Sequence, residues 1–371
     1  MSKWEIFKIG DVCDVIAGQS PKGEFYNSEG LGLPFYQGKK EFGKKFISSP
    51  QTWTTSVTKV AIAGDILMSI RAPVGPVNFA TQKICIGRGL AAIRARESID
   101  KNFLFYYLFY NQDNIKGNEG AVFASINKSQ IQNISLPVPP IEEQKRIVEI
   151  LDKAFEGIAQ AEANTRRNLI NARELFDSYL NNIFRERGDE WIDEKLGDIS
   201  ENLDSERIPV TKSKRTSGKV PYYGASGVVD YVDDFIFDEE LLLVSEDGAN
   251  LLARTYPIAF SISGKAWVNN HAHVLKFNDI SLQRFIEYFL NSISLERYVS
   301  GMAQPKLNQK ALNSILIPIA PKEIREKVVN NLDSLKGNVN SLETIYQRKL
   351  EAIAELKQSI LEKAFTGQLS Q

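Results

Sequence analysis

The chain has 371 residues, 43% of them hydrophobic, and carries 45 Lys and Arg against 46 Asp and Glu, for a net charge of −1 at pH 7. That length holds two hydrophobic cores plus connecting helices, and no apolar run reaches the roughly 18–20 residues a membrane span needs. Two cysteines, Cys13 and Cys85, exclude a disulfide framework and read as buried free thiols. The start, MSKWEIFKIGD, lacks the apolar core of a secretory signal, so a cytoplasmic protein is expected.

Residues 1–138 open with WEIFKIGDV (from Trp4) and continue as short β-like runs: KVAIAGDILMSI from Lys59, PVGPVNFA from Pro73 and GLAAIRA from Gly89. Gly and Pro punctuate them as in an irregular sheet. One helix is expected inside, KNFLFYYLFYNQ from Lys101, its aromatic rings packing a core. LPVPPIEEQ, from Leu136, then stops regular structure and starts a long helix. The residue before a proline is pushed out of the α region, while proline itself suits the first helical turn. Glu142 and Glu143 stand where the helix dipole favours negative charge. From about 140 to 186 no proline occurs, and only Gly157 interrupts the good helix formers.

WIDEKLGDI, from Trp191, repeats the opening, and a second β-rich stretch follows to about Ile319. PYYGASGVVDYV (from Pro221) and ELLLVSEDGANLLARTYPIAFSISGKAWVNNHAHVLKF (from Glu240) read as strands joined by tight turns. SLQRFIEYFLNS, from Ser281, matches the earlier aromatic helix, and a second long helix closes the chain.

The chain thus says nearly the same thing twice, about 181 residues apart. SINKSQIQNISLPVPPIEEQKRIVEIL (from Ser125) aligns without a gap on KLNQKALNSILIPIAPKEIREKVVNNL (from Lys306), and the register holds to Phe184 on Phe365. A period this long is a duplicated domain rather than a solenoid repeat. Between the matched stretches the two sequences hardly resemble each other. On the first long helix Ile147, Leu151, Ala154, Ile158, Ala161, Thr165, Asn168, Ala172, Leu175 and Tyr179 form a heptad-like seam. On the second it is Val328, Leu332, Leu335, Val339, Leu342, Tyr346, Lys349, Ile353, Leu356 and Ile360. A helix of about 45 residues spans close to 70 Å, so the second must run back to bury its seam on the first. The expected fold class is α+β: two globular α/β domains (1–138 and 188–319) separated by a long antiparallel two-helix coiled coil (139–187 and 320–371), with an internal pseudo-two-fold repeat. The competing arrangement is two helices in separate bundles.

Catalytic patterns are absent. GKKEFGKK (Gly38 to Lys45) approaches a phosphate-cradling loop, but Lys45 stands where Ser or Thr should hold magnesium. No G-x-G-x-x-G opens a strand–helix unit, and no Asn/Asp-Pro-Pro-aromatic tetrapeptide is present. His271 and His273 lie two apart, with no Cys or third His near, so no metal site is expected. Neither catalysis nor a cofactor is expected of this chain.

Binding residues are more plentiful. In the first insert Lys39, Lys40, Lys44, Lys45, Arg71 and Arg88 lie in Gly-rich turns beside Gln37, Asn78 and Gln82. In the second, Lys212, Lys214, Arg215, Lys219, Lys265 and Lys306 accompany Asn250, Asn269, Asn270 and Gln304. Tyr36, Tyr222, Tyr223 and Trp267 are interleaved. Arg or Lys to guanine, and Asn or Gln to adenine, are the expected major-groove pairings, and clustering is what singles these residues out from solvated surface. Residues 1–138 hold 16 basic against 11 acidic residues, but 188–319 hold 13 against 19, which counts against nucleic acid in the second insert.

The repeated LPVPPIEEQKRIVEIL and LIPIAPKEIREKVVNNL, the helix ends LFDSYLNNIF and LKQSILEKAFTGQL, and GMAQPKLNQ carry a resemblance over nearly the whole chain. They resemble the DNA-specificity subunit of a Type I restriction–modification enzyme, and PYYGASGVVDY is similar to an opening of one class of target-recognition domain. Departures are mild: Ala320-Pro321 replaces the second Pro-Pro, and Ile324-Arg325 replaces Glu143-Gln144. The resemblance implies that each globular domain reads one half of an asymmetric, two-part sequence in double-stranded DNA, the helices fixing the gap. Two methylation subunits would dock on the helices, bringing adenosylmethionine and adenine-methylating chemistry, and ATP-driven restriction subunits would join them; no membrane partner is implied. The alternative is a coiled-coil scaffold whose inserts bind polypeptides.

Overall fold

The computed structural model describes residues 4–115, 125–301 and 304–369. It divides into two compact units, Met1–Thr165 with Arg348–Gln371, and Arg166–Gln347.

In the first unit a four-stranded antiparallel sheet runs in the order Cys13–Ala17, Leu90–Ala95, Ile66–Ser69, Val77–Phe79. A second sheet of five short strands contains a parallel pair, Leu33–Tyr36 beside Ile84–Ile86. The aromatic helix Lys101–Asn111 covers the first sheet and buries Phe103, Leu104, Phe105, Tyr106 and Leu108. Its apolar residues surround the whole helix, so it can only be a core helix. Asp100 starts it by accepting from the Asn102 and Phe103 N–H groups at 2.8 and 3.0 Å. Glu5–Lys8 pairs antiparallel with Ser135–Val138, so the opening strand of the unit lies against the strand that leads into the long helix Ile141–Arg185. Gly157 does not interrupt that helix.

The second unit repeats the plan. Its four-stranded sheet is Glu201–Asn202, Ala272–Lys276, Leu241–Ser245, Ala259–Ile262, and its other sheet again holds a parallel pair, Ser217–Gly224 beside Lys265–Val268. The core helix is Ile280–Ser292, Ile192–Lys195 pairs with Leu316–Ile319, and Lys322–Phe365 is the long helix. The inserts, so different in sequence, therefore share the order of the four-stranded sheet and the parallel pair, although the sheet holding that pair has five strands in the first unit and four in the second. Both cysteines are buried.

In both units the two long helices run antiparallel. In the first, Arg146 donates to the Leu369 carbonyl, Lys357 lies 3.9 Å from Glu162, and Leu361 joins the cluster of Ile147 and Leu151. In the second, Arg173 pairs with Glu343, and Leu180 packs with Leu332. The expected fold class is present, with a shifted seam. On the first helix the expected Leu175 and Tyr179 are 62% and 39% exposed while Phe176 and Leu180 face inward; on the second the expected Leu332, Val339 and Ile353 are buried, but Leu342 and Leu356 are 39% and 49% exposed. A strict 3.5-residue count drifts off a 3.6-residue helix, so toward the end of the first helix Phe176 and Leu180 take the inner positions.

Two fasteners hold each core helix to its long helix, and both are duplicated. Tyr106 donates to Asp152 at 2.5 Å, and Tyr288 donates to Asp333 at 2.5 Å. A cation covers each ring: Lys45 Nζ lies 4.9 Å from the Tyr106 centroid and the Arg284 guanidinium 5.3 Å from that of Tyr288. The second fastener is Gln144, which accepts from the Asp100 N–H at 2.7 Å and donates to the Ser98 and Pro139 carbonyls. Arg325 does the same work in the repeat, donating to Asp279, Ser281 and the Ala320 carbonyl. The Gln-to-Arg departure between the repeats keeps the contact.

Candidate nucleic-acid interface

In each unit the parallel strand pair ends at a three-residue turn leading into the central sheet, and these turns carry candidate reading groups. In the first, Gln37 follows Leu33–Tyr36 and Arg88 lies between Gly87 and Gly89; both side chains are exposed. Ser20 links them: its Oγ accepts from the Arg88 N–H at 3.1 Å and donates to Gln37 Oε1 at 2.8 Å. A cavity of about 470 Å³ opens here, lined by Gln37, Arg88, Ser20, Glu41 and the stacked rings of Tyr26 and Phe35.

The other first-domain candidates divide by their partners. Lys39, Lys44 and Arg71 are exposed and, among the described residues, meet no acidic side chain; Lys40 reaches only Gln51, at 3.5 Å. Gln82 is exposed. Lys45 is held at 2.9 Å by Asp152. Burial would raise the Asp152 carboxyl, but hydrogen bonds from Tyr106 and Lys45 outweigh it and hold the group below the usual carboxylate value. Asn78 is buried and exchanges hydrogen bonds with Gly43, its Oδ1 accepting at 3.2 Å and its Nδ2 donating at 3.0 Å. Tyr36 is buried too; it donates to the Ser48 carbonyl, and burial pushes its hydroxyl up to about 12.

In the second domain Lys212, Lys214, Lys219, Asn270 and Gln304 are exposed. Lys265 lies 4.4 Å over Phe235, and Lys306 lies 3.1 Å from Glu246. Arg215 is bound to Asp230 at 2.9 Å and stacks 4.1 Å over Tyr222, which is fully buried and exchanges hydrogen bonds with Val210. Tyr223 packs on Phe260, and the Trp267 indole donates to Ile208. Asn250 is partly buried and exchanges hydrogen bonds with the Tyr256 backbone, its Nδ2 donating to the carbonyl and its Oδ1 accepting from the N–H. Asn269 is 8% exposed, its Oδ1 accepting from the His271 N–H at 2.8 Å.

Sequence reasoning passed over two features. His271 is half exposed, and its Nδ1 lies 2.9 Å from Asp247 beside Asn269 and Asn270. His273 is buried with Asp204 at 2.5 Å and Glu246 at 3.9 Å. The ligand atoms of these three residues lie within 4.8 Å of one another, close enough for a cation. Arg207, 2.7 Å from Glu246 and 3.6 Å from Asp204, and Lys306 already neutralise them, so the cluster reads as an ion-pair network. Burial pulls Asp204 and Glu246 upward, but hydrogen bonds with His273 and Arg207 and the nearby positive charge win and hold both below their ordinary values. Asp204, Glu246 and His273 lie 27 to 69 positions apart, a separation at which no motif links them.

Several acidic residues of the second insert are held in ion pairs. Asp193, Asp204, Asp230, Glu239, Glu246, Asp279 and Glu287 are engaged by Arg187, Arg207, Arg215, Lys276, Lys306, Arg325 and Arg284. Five of these seven partners are the insert's own basic residues, so its acidic excess stands.

Comparison with known proteins decides the family. The pattern described as "Type I restriction modification DNA specificity domain" matches residues 1–172 and again 188–352. The chain belongs to that family. A putative type I restriction enzyme MjaX specificity subunit of Methanocaldococcus jannaschii is 42% identical over 181 residues, covering 48% of this chain and 42% of that protein. A putative type I restriction enzyme specificity subunit of Haemophilus influenzae is 34% identical over 39% of this chain and 37% of its own length. The chain thus matches less than half the length of either relative. The MjaIX specificity subunit of the same archaeon aligns over 99% of this chain and 93% of itself at 21% identity. Two solved structures share the fold: a chain of a type I restriction–modification system (TM-score 0.78, 19% identity, 98% of both chains) and the HsdS subunit of Thermoanaerobacter tengcongensis (0.61, 18%, 99% and 97%). As a Type I specificity-family chain it carries the family pattern once per repeat, in step with the duplicated strand plan. Among its described residues no helix is long and apolar enough to cross a membrane.

Proposed function

We propose that this chain is the non-catalytic, cytoplasmic DNA-specificity subunit of a Type I restriction–modification complex, reading a bipartite asymmetric target with one half-site per globular domain. The domains are 1–138 and 188–319, and the spacer helices 139–187 and 320–371 set the gap and recruit two methylation subunits and restriction subunits. The observation that carries this reading is the duplicated frame: one strand plan and one pair of fasteners, used twice around inserts of different sequence. A shared frame with divergent turns is what two reading heads for two different sequences require. Phosphate contacts are assigned to Lys39, Lys40, Lys44, Arg71, Arg88, Lys214, Lys219, Lys265 and Lys306, which are exposed. Base contacts are assigned to Gln37, Asn269, Asn270 and Gln304. Lys45, Asn78, Arg215, Tyr222, Tyr223 and Asn250 support these turns from behind. The scaffold alternative rested on the acidic second insert; the family match over both repeats supports the DNA-specificity reading instead.

The experiment is a salt titration of duplex DNA binding by the full chain, with its methylation subunits where they co-purify. Neutralising six or more phosphates lowers affinity by roughly three orders of magnitude or more between 50 and 200 mM salt. A flat response would favour a protein scaffold.

A further inference from the structure

The two parallel strand pairs align residue for residue, although nothing in their sequences says so. Phe35 and Tyr36 pair with Cys85 and Ile86; Tyr222 and Tyr223 pair with Trp267 and Val268. The next hydrogen bond agrees as well, Gly87 N–H to the Tyr36 carbonyl at 2.8 Å and Asn269 N–H to the Tyr223 carbonyl at 3.0 Å. So does the re-entry into the central sheet, with Leu90 opposite Ser69 and Ala272 opposite Ser245. On this frame Gln37 corresponds to Gly224, and Gly87 to Asn269.

Each domain therefore places one carboxamide and one glycine across the end of its parallel pair, on opposite strands in the two domains. The glycine has a steric reason in the first: a Cβ on Gly87 would lie 2.4 Å from Gln37 Oε1 and 2.9 Å from its Cα. In the second, a Cβ on Gly224 would come 3.0 Å from Val229 and 3.4 Å from Asn269 Nδ2. The Asn269 amide is oriented by a donor that cannot accept, and the Gln37 amide faces a hydroxyl whose proton is directed to it. Arg88 N–H donates to Ser20 Oγ, whose proton goes to Gln37 Oε1; His271 N–H donates directly to Asn269 Oδ1. Both amides have their oxygen tied to the protein. Their NH₂ groups have no acceptor among the described residues.

We infer that Gln37 and Asn269 are equivalent specificity-determining residues, each reading a hydrogen-bond acceptor on a base edge of its own half-site with its carboxamide NH₂. The inference rests on the DNA-specificity reading and deepens it. In the major groove, guanine O6 and N7, thymine O4 and adenine N7 accept, whereas cytosine presents an amino group there. Asn270, next in its turn and exposed, is placed to read the adjoining position, while Arg88 at the matching place of the first turn is the residue assigned to a phosphate. Lys45 and Asn78, by contrast, position the first domain's turns and touch no base.

The test uses the full chain with its methylation subunits and a duplex pool randomised at every position of the bound sequence. Gln37→Glu keeps the oxygen facing Ser20 and replaces the outward donor by an acceptor. At one base pair of one half-site, preference should fall by roughly five-fold or more for guanine and thymine, which present only acceptors, and move toward bases presenting an amino group, cytosine or adenine. Gln37→Met should lose the preference there without the inversion. Asn269→Asp, with Asn269→Ser as a milder variant, should alter one position of the other half-site only. Retention of the first half-site preference by the Asn269 variants shows the chain to be folded. Unaltered profiles for Gln37→Glu and Gln37→Met, or changes falling in the same half-site for Gln37 and Asn269 variants, overturn the inference while leaving the function standing. A wild-type chain that enriches no sequence overturns the function itself.

Discussion

Tyr106 and Tyr288 each donate a hydrogen bond to an aspartate at matching positions of the two long helices, beneath a cation that differs between the repeats. Removing either hydroxyl leaves a partly exposed carboxylate, so Tyr106→Phe or Tyr288→Phe should cost about 1–1.5 kcal/mol in chemical denaturation, with normal secondary structure. The buried Asp204–Glu246 network makes a pH-dependent prediction. Both carboxyls are held below their ordinary values, so their stabilisation is present above the usual carboxylate range and is lost as pH falls through that range and below. Acid unfolding of the second unit should therefore set in below about pH 4–5, near the ordinary Asp and Glu values. Arg207→Met should cost about 3 kcal/mol at neutral pH and shrink that acid-dependent loss; an unaltered acid profile would contradict it. Residue roles were the least legible part of the sequence. Asn78 and Tyr222 have the chemistry of base readers, yet the fold takes both inside to hold turns. Ser20, far from Arg88 in sequence, meets it only in three dimensions.

At the level of elements, the long helices, the core helices and the proline-started transitions were readable because each rests on a local rule: periodicity, capping, or the missing proline N–H. The seam was readable only in part, since a heptad count on a 3.6-residue helix slides by one position and leaves Leu175 and Leu342 outside. The shared strand plan of the inserts was not readable at all. Its strands are two to eight residues long and are specified by pairing across the sheet, which different side chains satisfy equally. Two predictions belong here. Gly157 and Gly337 lie inside the long helices, and a Cβ on either would meet nothing within 4 Å. Gly157→Ala and Gly337→Ala should each raise stability by about 0.5–1 kcal/mol in denaturant titration. Arg325→Gln, which installs the residue of the first repeat, should be tolerated better than Arg325→Leu, which strands the Asp279 carboxylate; equal losses would show that the fastener is not shared.

For the whole molecule, duplication separates what must stay constant from what must vary. The opening strand, core helix, fasteners and long helix recur, while the turns at the ends of the parallel strands diverge in charge and polar side chains. A chain built this way changes one reading surface without disturbing the other. Removing equal whole turns from both long helices should alter the gap between half-sites and leave their sequences unchanged. The most direct test of this independence is the methylated or bound sequence recovered after residues 1–138 are exchanged for those of another family member. One half-site should change completely while the other and the gap persist; loss or scrambling of both half-sites would contradict the account.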